Sequence, residues 1–482
     1  MMSIENNSYK KIFNATAFLG GVQFFIIITS ILRSKLVSVI FGAYGIGVIG
    51  LITSSTAFIS ALTGFGLGTS AVKNISIESV ATDKNRLVII VNVIRRLALF
   101  TGAIGFIITL LFSSWLSEIN FNNSSFTFSF ILVSFSLLFS QLTVAENVIL
   151  QGLSEYKSFA KSNLYSSVFS LLVTSPLYYY GGTDFIAVGI LLTSIITFTF
   201  AKFQTSKFEN IKSEINIRIN YFGEGKEILF LGFFLGLTGL INLGFSSLLR
   251  IFIGKYGGIE IVGLYSAGFA IINTYVGMIF SAMGTDYYPR LSKLVFDHTK
   301  TNDCINKQME VALVILFPII IFFLVFSKYI INLLYSSNFI LAEEMVQYAS
   351  LGILFKASSW SIAYLFLAKN NKKIFFWNEL ISELYMFGLN LICFYYFSLT
   401  GLGISFLIGY VLYFLQVYIF AKKYHSFLLE MKNIKKYLFI IIFSAITFIL
   451  MRFIPNPYNM CLSFIMFLFS IMFSWKFFRA VY

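Results

Sequence analysis

Apolar residues in this chain gather in long unbroken runs. Fourteen of the runs are long enough to cross a hydrocarbon core, which takes about 20 residues of helix. Six lie at residues 12–41, 45–69, 87–112, 128–150, 162–180 and 185–201. Eight more follow at 228–254, 261–285, 311–334, 345–367, 375–397, 401–420, 437–451 and 460–475. Within them polar and apolar positions do not alternate over about ten residues, as they would in a transmembrane strand. The pattern predicts an all-α polytopic membrane protein with about fourteen transmembrane helices, because a helix satisfies its own backbone in lipid.

Composition strengthens that expectation. Of 482 residues, 58% are hydrophobic and only 12% charged, with a mean hydropathy of +0.83. A soluble domain carries about 25% charged residues, and without them its surface would aggregate. Disorder and a collagen-like fibre are excluded by the same apolar content, and a disulfide scaffold by the isolation of Cys304, Cys393 and Cys461.

The net charge of +14 depends for its meaning on where the charges fall. Lys and Arg in short loops stay on the cytoplasmic side. With a cytoplasmic N-terminus, 26 of the 35 basic residues fall in inward loops, and Lys255, Lys328 and Arg452 alone fall in outward ones. This predicts a multi-pass protein with both termini cytoplasmic and a basic inner rim facing anionic lipid. Nothing in the rim points to nucleic acid.

A polar interval divides six spans from eight, so the predicted organisation is an N-terminal lobe at 1–203, a cytoplasmic linker at 204–227, a C-terminal lobe at 228–424, and two appended spans at 425–482. The second part resembles the first. Ser30-Ile31-Leu32-Arg33 corresponds to Ser247-Leu248-Leu249-Arg250, and each leads into a Gly/Tyr segment, Phe41-Gly42-Ala43-Tyr44-Gly45 and Gly254-Lys255-Tyr256-Gly257-Gly258. Both copies begin on the cytoplasmic side, so the repeat is parallel. Paired bundles of this kind carry their site at the repeat interface and work by alternating access.

Signatures of catalysis are missing from the sequence. His298 and His425, the two histidines, both lie in inward loops and cannot build a metal site or a triad within the membrane. Gly45-Ile46-Gly47-Val48-Ile49-Gly50 matches a dinucleotide fingerprint but opens a membrane span and follows no soluble strand. Close helix packing accounts better for these glycines, and for Gly64, Gly66 and Gly68. There is no phosphate-binding loop. The chain is expected to be no enzyme and to need no metal or other cofactor.

What remains are charges inside spans, each costing about 2.5–3.5 kcal/mol at the bilayer centre unless it meets a cavity or partner. The basic set is Arg33, Lys35, Arg95, Arg96, Arg250 and Lys356; the acidic set is Glu146, Asp286, Glu379 and Glu383. The cationic excess suits an anionic substrate, whose phosphate or carboxylate oxygens these groups would coordinate. Lys356 lies mid-span. Arg33 and Arg250 occupy matched positions from which they either face a cavity or snorkel outward, and Arg95 with Arg96 either serve the inner mouth or snorkel. The four carboxylates are the candidates for ion coupling or gating. For Glu146 a structural partner across a helix interface competes with that role, and for Glu379 and Glu383, which share a helix face, so does pairing with Lys372 or Lys373. Asn92, Gln141, Asn147, Asn242 and Asn273 lie in spans where they could bond sugars. Pro176 and Pro318 fall inside spans, as bends used in motion or as static kinks.

Three segments carry a resemblance: Phe41-Gly42-Ala43-Tyr44-Gly45-Ile46-Gly47 at the first outer turn, Tyr287-Tyr288-Pro289-Arg290-Leu291-Ser292-Lys293 leaving span eight, and Asn338 through Lys356 into span ten. In their order and spacing the chain resembles the Wzx-type O-antigen and capsule repeat-unit flippases of the multidrug/oligosaccharidyl-lipid/polysaccharide (MOP) exporter superfamily. That resemblance implies a MATE-like bundle of two six-helix lobes around a cationic cavity, with two C-terminal helices added. It implies movement of an undecaprenyl-diphosphate-linked glycan from the inner to the outer leaflet of a bacterial inner membrane, coupled to an ion gradient, alongside the polymerase and chain-length proteins of the same pathway. The two last spans depart from twelve-helix members and resemble the lipid II flippases, which leaves the lipid-linked substrate open. A drug/cation antiporter of the same superfamily, disfavoured by the cationic excess, and a membrane polymerase or glycosyltransferase, disfavoured by short outward loops, are the other readings.

Overall fold

The computed structural model describes residues 2–80, 84–208, 221–455 and 458–481, with side chains before Gly21 and at several other positions outside that description. Residues 209–220, half of the expected linker, therefore lie outside the described residues. The chain is 93% helical, and no strand occurs among the described residues.

It divides into two compact units, Met1–Glu260 and Ile261–Tyr482. The first holds α1 (Met2–Gly64), α2 (Leu67–Val80), α3 (Lys84–Leu111), α4 (Ser113–Phe121), α5 (Thr127–Gly152), α6 (Tyr156–Gly181), α7 (Ile186–Ser206) and α8 (Tyr221–Gly257). Helix α9 (Ile259–Ala270) starts at the boundary. The second unit continues with a π-helical turn (Ile271–Tyr275), α10 (Val276–Leu294), α11 (His298–Leu334), α12 (Glu343–Ala368), α13 (Lys372–His425), α14 (Met431–Phe453) and α15 (Tyr458–Val481).

Eleven helices among the described residues are long and apolar enough to cross a membrane, against the fourteen runs read from the sequence. Two of them contain two predicted spans each. Helix α1 runs on from span one into span two with only Gly42 (φ 64°) out of helical geometry, and α13 does the same through Ser398 (φ 49°). Span five became α6, which is too polar to count as apolar. Its Ser162, Ser166, Ser170 and Thr174 are buried at four-residue spacing, a stripe of small hydroxyl residues that lets helices approach closely, and Ser167 meets Thr29 of α1 at 2.5 Å. Helices α6 and α11 continue through Pro176 and Pro318.

The second predicted span stops early. At Phe65 and Gly66 the backbone turns left-handed (φ 46° and 61°), ending α1 and starting α2. A Cβ on Gly66 would sit 1.9 Å from the Gly232 carbonyl oxygen of α8, and one on Gly64 would sit 2.7 Å from Gln141 Nε2. A Cβ on Gly47, from the fingerprint-like string, would likewise sit 2.0 Å from the Ile259 carbonyl oxygen. The glycines thus serve close packing. Gly66→Ala is expected to cost about 2–5 kcal/mol, from left-handed strain and overpacking together, read as a fall in the thermal midpoint of the purified protein.

Each unit has its own core. In the first, Leu67, Ile75, Val93, Ile94, Ala145 and Ile149 join α2, α3 and α5; in the second, Tyr287, Leu291, Ile305, Ile362, Phe366 and Val417 join α10 to α13. Outward faces stay apolar for lipid, with exposed Tyr179 and Tyr180 at the end of α6 and exposed Tyr395 and Tyr396 just before the Ser398 kink of α13, placements suited to the headgroup layer that aromatic residues favour.

The two last helices are fastened to α11. Lys436 pairs with Glu310, Ser474 Oγ donates to the Val314 carbonyl at 2.8 Å, and Asn306 Nδ2 donates to the Leu428 carbonyl at 3.0 Å. At the other end of α14, Arg452 reaches Glu344 at 3.3 Å. Helix α11 itself opens on Asp297, whose carboxylate accepts from the Lys300 amide at 3.1 Å and from Thr299 Oγ1 at 2.7 Å. These bonds, with Lys300, hold its pKa well below the usual carboxylate range. A depressed carboxylate stabilises above its unfolded pKa and loses that contribution as pH falls through the folded one. The first turn of α11 is therefore expected to loosen only at strongly acidic pH, and Asp297→Asn to remove that dependence in amide hydrogen exchange.

Candidate functional site

In the second unit, Lys356 lies in the middle of α12, in a predominantly apolar run. Its Nζ donates to Asn273 Oδ1 at 3.4 Å, and stands 5.3 Å from the ring centroid of Tyr410 and 5.7 Å from that of Phe406. Among the described residues no carboxylate comes within ion-pair distance of it, although Glu383 of α13 acts on it through space. An ammonium held by an amide oxygen and two ring faces, with its nearest carboxylate influence acting from beyond ion-pair distance, stays able to take an anion's oxygen as a direct partner. That is the property an anion site needs.

Asn273 reaches it from the π-helical turn, a local widening that often marks functional positions. Glu379, one turn before Glu383, is satisfied by neutral donors: Tyr413 Oη at 2.6 Å and Asn378 Nδ2 at 3.2 Å. Gln416 Nε2 in turn donates to Asn378 Oδ1 at 3.0 Å. The described partners of Glu379 are these, in place of the Lys372 or Lys373 considered from spacing. The cluster thus combines one cation, two carboxylates and two tyrosines within the second unit. Tyr410 and Tyr413 were not flagged from sequence, although a Tyr inside an apolar run was the available signal.

The first unit uses its charges differently. Glu146 on α5 is buried and accepts from both arms of Arg95 on α3, at 2.9 Å each. It also accepts from Thr205 Oγ1 at 2.6 Å and pairs with Lys202 Nζ at 3.6 Å, both on α7. Two of the ten predicted residues, Glu146 and Arg95, are therefore partners, a bidentate pair that fixes three helices together. Arg96 is exposed on α3, and Lys35 is half-buried on α1. Arg33, half-buried on the same helix, interacts with Tyr178. Arg250 on α8 donates to Ser246 Oγ at 2.5 Å and to the Ser246 carbonyl at 3.2 Å. Asp286 is exposed and pairs with Arg290 one turn on, at 3.6 Å. Among the amides, Gln141 is buried and Asn92, Asn242 and Asn273 are exposed, while Asn147 Oδ1 is buried with no hydrogen-bond partner among the described residues.

Comparison with known proteins follows from this fold. No curated protein matches the chain in sequence. Among solved structures it is similar to a lipid II flippase MurJ in an inward closed conformation, with TM-score 0.75, 17% identity, and 96% of this chain and 99% of that one covered. It is similar also to an inward-facing multidrug resistance MATE family transporter of the MOP superfamily, with TM-score 0.72, 16% identity, and 83% and 94% covered. A MOP superfamily transporter from Pyrococcus furiosus gives TM-score 0.61 at 16% identity, with 86% and 94% covered. The fold is thus the MurJ/MATE fold. The sequence profile described as "Polysaccharide biosynthesis protein" matches residues 36–344, well over half of the chain, and the chain belongs to that family.

Proposed function

We propose that this protein is a flippase. It moves undecaprenyl-diphosphate-linked oligosaccharide repeat units, for O-antigen or capsule, from the cytoplasmic to the outer leaflet of a bacterial inner membrane. Both termini are cytoplasmic, the site opens alternately to the two sides, and an ion gradient drives the cycle. It catalyses no covalent step. One observation carries the reading: Lys356, in the middle of a membrane span, is held by Asn273 and aromatic faces with no carboxylate in ion-pair distance among the described residues. A cation kept in that state is stabilised by an anionic ligand such as a diphosphate, and family membership and fold agree with a lipid-linked glycan. Arg33 and Arg250 are further anchors in this reading.

A second reading, a lipid II-type flippase, draws support from the match covering 96% of the chain, too much to leave the last two helices out. Deleting the gene and following the lipid-linked intermediates separates the possibilities. Complete repeat units trapped in the inner leaflet support the proposal. Trapped peptidoglycan precursor supports the second reading, and unpolymerised units gathering in the outer leaflet would point to a polymerase.

A further inference from the structure

The first unit contains a cavity of about 530 Å³, within the roughly 300–1,000 Å³ of small-molecule sites. Its walls come from α1, α2, α5 and α8, and every described lining residue is uncharged. It has no part in the cation chemistry above.

Its walls carry a particular set of polar groups. Gln141, 5% exposed, turns its Nε2 onto Ser60 Oγ and the Ser60 carbonyl, at 2.9 Å each. Its Oε1 has no hydrogen-bond partner among the described residues. Ser60 has accepted a bond and keeps its own proton to donate. Ser140 faces the cavity with a hydroxyl that bonds nothing among the described residues, and Thr53 Oγ1, although donated to the Ile49 carbonyl at 2.5 Å, can still accept. Between these groups Gly64, Gly66 and Gly236 leave flat apolar wall.

The free Gln141 Oε1 and the Ser60 and Ser140 hydroxyls on the cavity wall offer both acceptors and donors to a ligand. The ligand must then offer hydroxyl or amide donors and acceptors, present apolar faces to a glycine wall, and carry no charge. We infer that this cavity binds a neutral sugar residue of the transported glycan, leaving the diphosphate to the cations elsewhere. This rests on the flippase reading for the identity of the glycan, and on the cavity for its place.

The test uses the full-length protein in detergent, with exposed Cys461 replaced by serine and Ser140→Cys introduced as a reporter. N-acetylglucosamine, galactose, glucose and mannose are used as probes against modification by a small methanethiosulfonate, with inorganic pyrophosphate alongside. Protection by at least one sugar and none by pyrophosphate is the expected result. A Ser60→Ala, Gln141→Leu variant that retains its thermal midpoint should lose protection by about tenfold in sugar concentration. Ser140→Trp, filling the cavity, should abolish translocation while lipid-linked substrate still binds through its diphosphate. If no sugar protects while gene deletion still traps repeat units in the inner leaflet, the cavity assignment is overturned and the flippase reading stands. If a sugar protects but no repeat units are trapped, the flippase reading fails and the sugar site remains. Protection by pyrophosphate would overturn the neutral-ligand assignment directly.

Discussion

Lys356→Ala should slow translocation at least about tenfold and leave a protein at least as stable as its parent. Both halves follow from the same surroundings. A hydrogen bond from a charged group is worth about 1.5–3 kcal/mol, so losing the one made by the Lys356 ammonium to a phosphate oxygen slows transport roughly tenfold to a hundredfold. The combination with Arg250→Ala should be inactive. Yet a charge within a span costs about 2.5–3.5 kcal/mol, and Lys356 recovers little of that from a 3.4 Å bond to Asn273 and two rings. Removing it relieves the apo protein. Flipping of lipid-linked repeat units in proteoliposomes, beside a thermal midpoint, checks both, and full activity in the Lys356→Ala, Arg250→Ala double variant would sink the anion-site assignment. Lys356→Arg should retain part of the activity, since the charge is kept but the guanidinium is wider.

Glu146→Ala should do the reverse and remove folded protein. It leaves Arg95 and Lys202 facing each other without the carboxylate they share, and breaking a buried pair costs about 3–5 kcal/mol. The lower end applies, because Arg95 is 23% exposed and Lys202 is 40% exposed. Replacing both members, Glu146→Leu with Arg95→Leu, should recover most of the loss. A stable Glu146→Gln protein whose transport had lost its dependence on the ion gradient would show instead that Glu146 couples transport to the ion.

These two residues show how far the sequence could be read. Continuous apolar runs settle on helices because lipid allows little else, and the breaks at Gly42 and between Phe397 and Gly401 were visible as gaps between runs. The merging of each pair into one helix was not visible, since it takes a single residue out of helical geometry. Gly66 could be seen as a packing residue but not as the end of α1, because the carbonyl it touches is Gly232, far along the chain. Charges were easy to find and their partners were not. Glu146 meets Arg95 and Thr205, and Glu379 meets Tyr413, over separations set by how helices pack, whereas sequence spacing reports only neighbours on one helix. Lys356 stood out from its place in an apolar run, but Asn273 gave no sign that it lay opposite.

The π-helical turn holding Asn273 has a consequence of its own. A turn of that kind contains one residue more than the α-helix would use, so it acts as an insertion that has been absorbed without a loop. Each residue advances an α-helix by about 100°, and the extra one sets the phase between α9 and α10. Taking out Ile272 would let the two helices join smoothly. It would also swing one helix face by nearly a third of a revolution against the other, carrying Asn273 off Lys356 or Tyr287 out of the core. The pairing at the site and the packing below it are held in step by a single surplus residue.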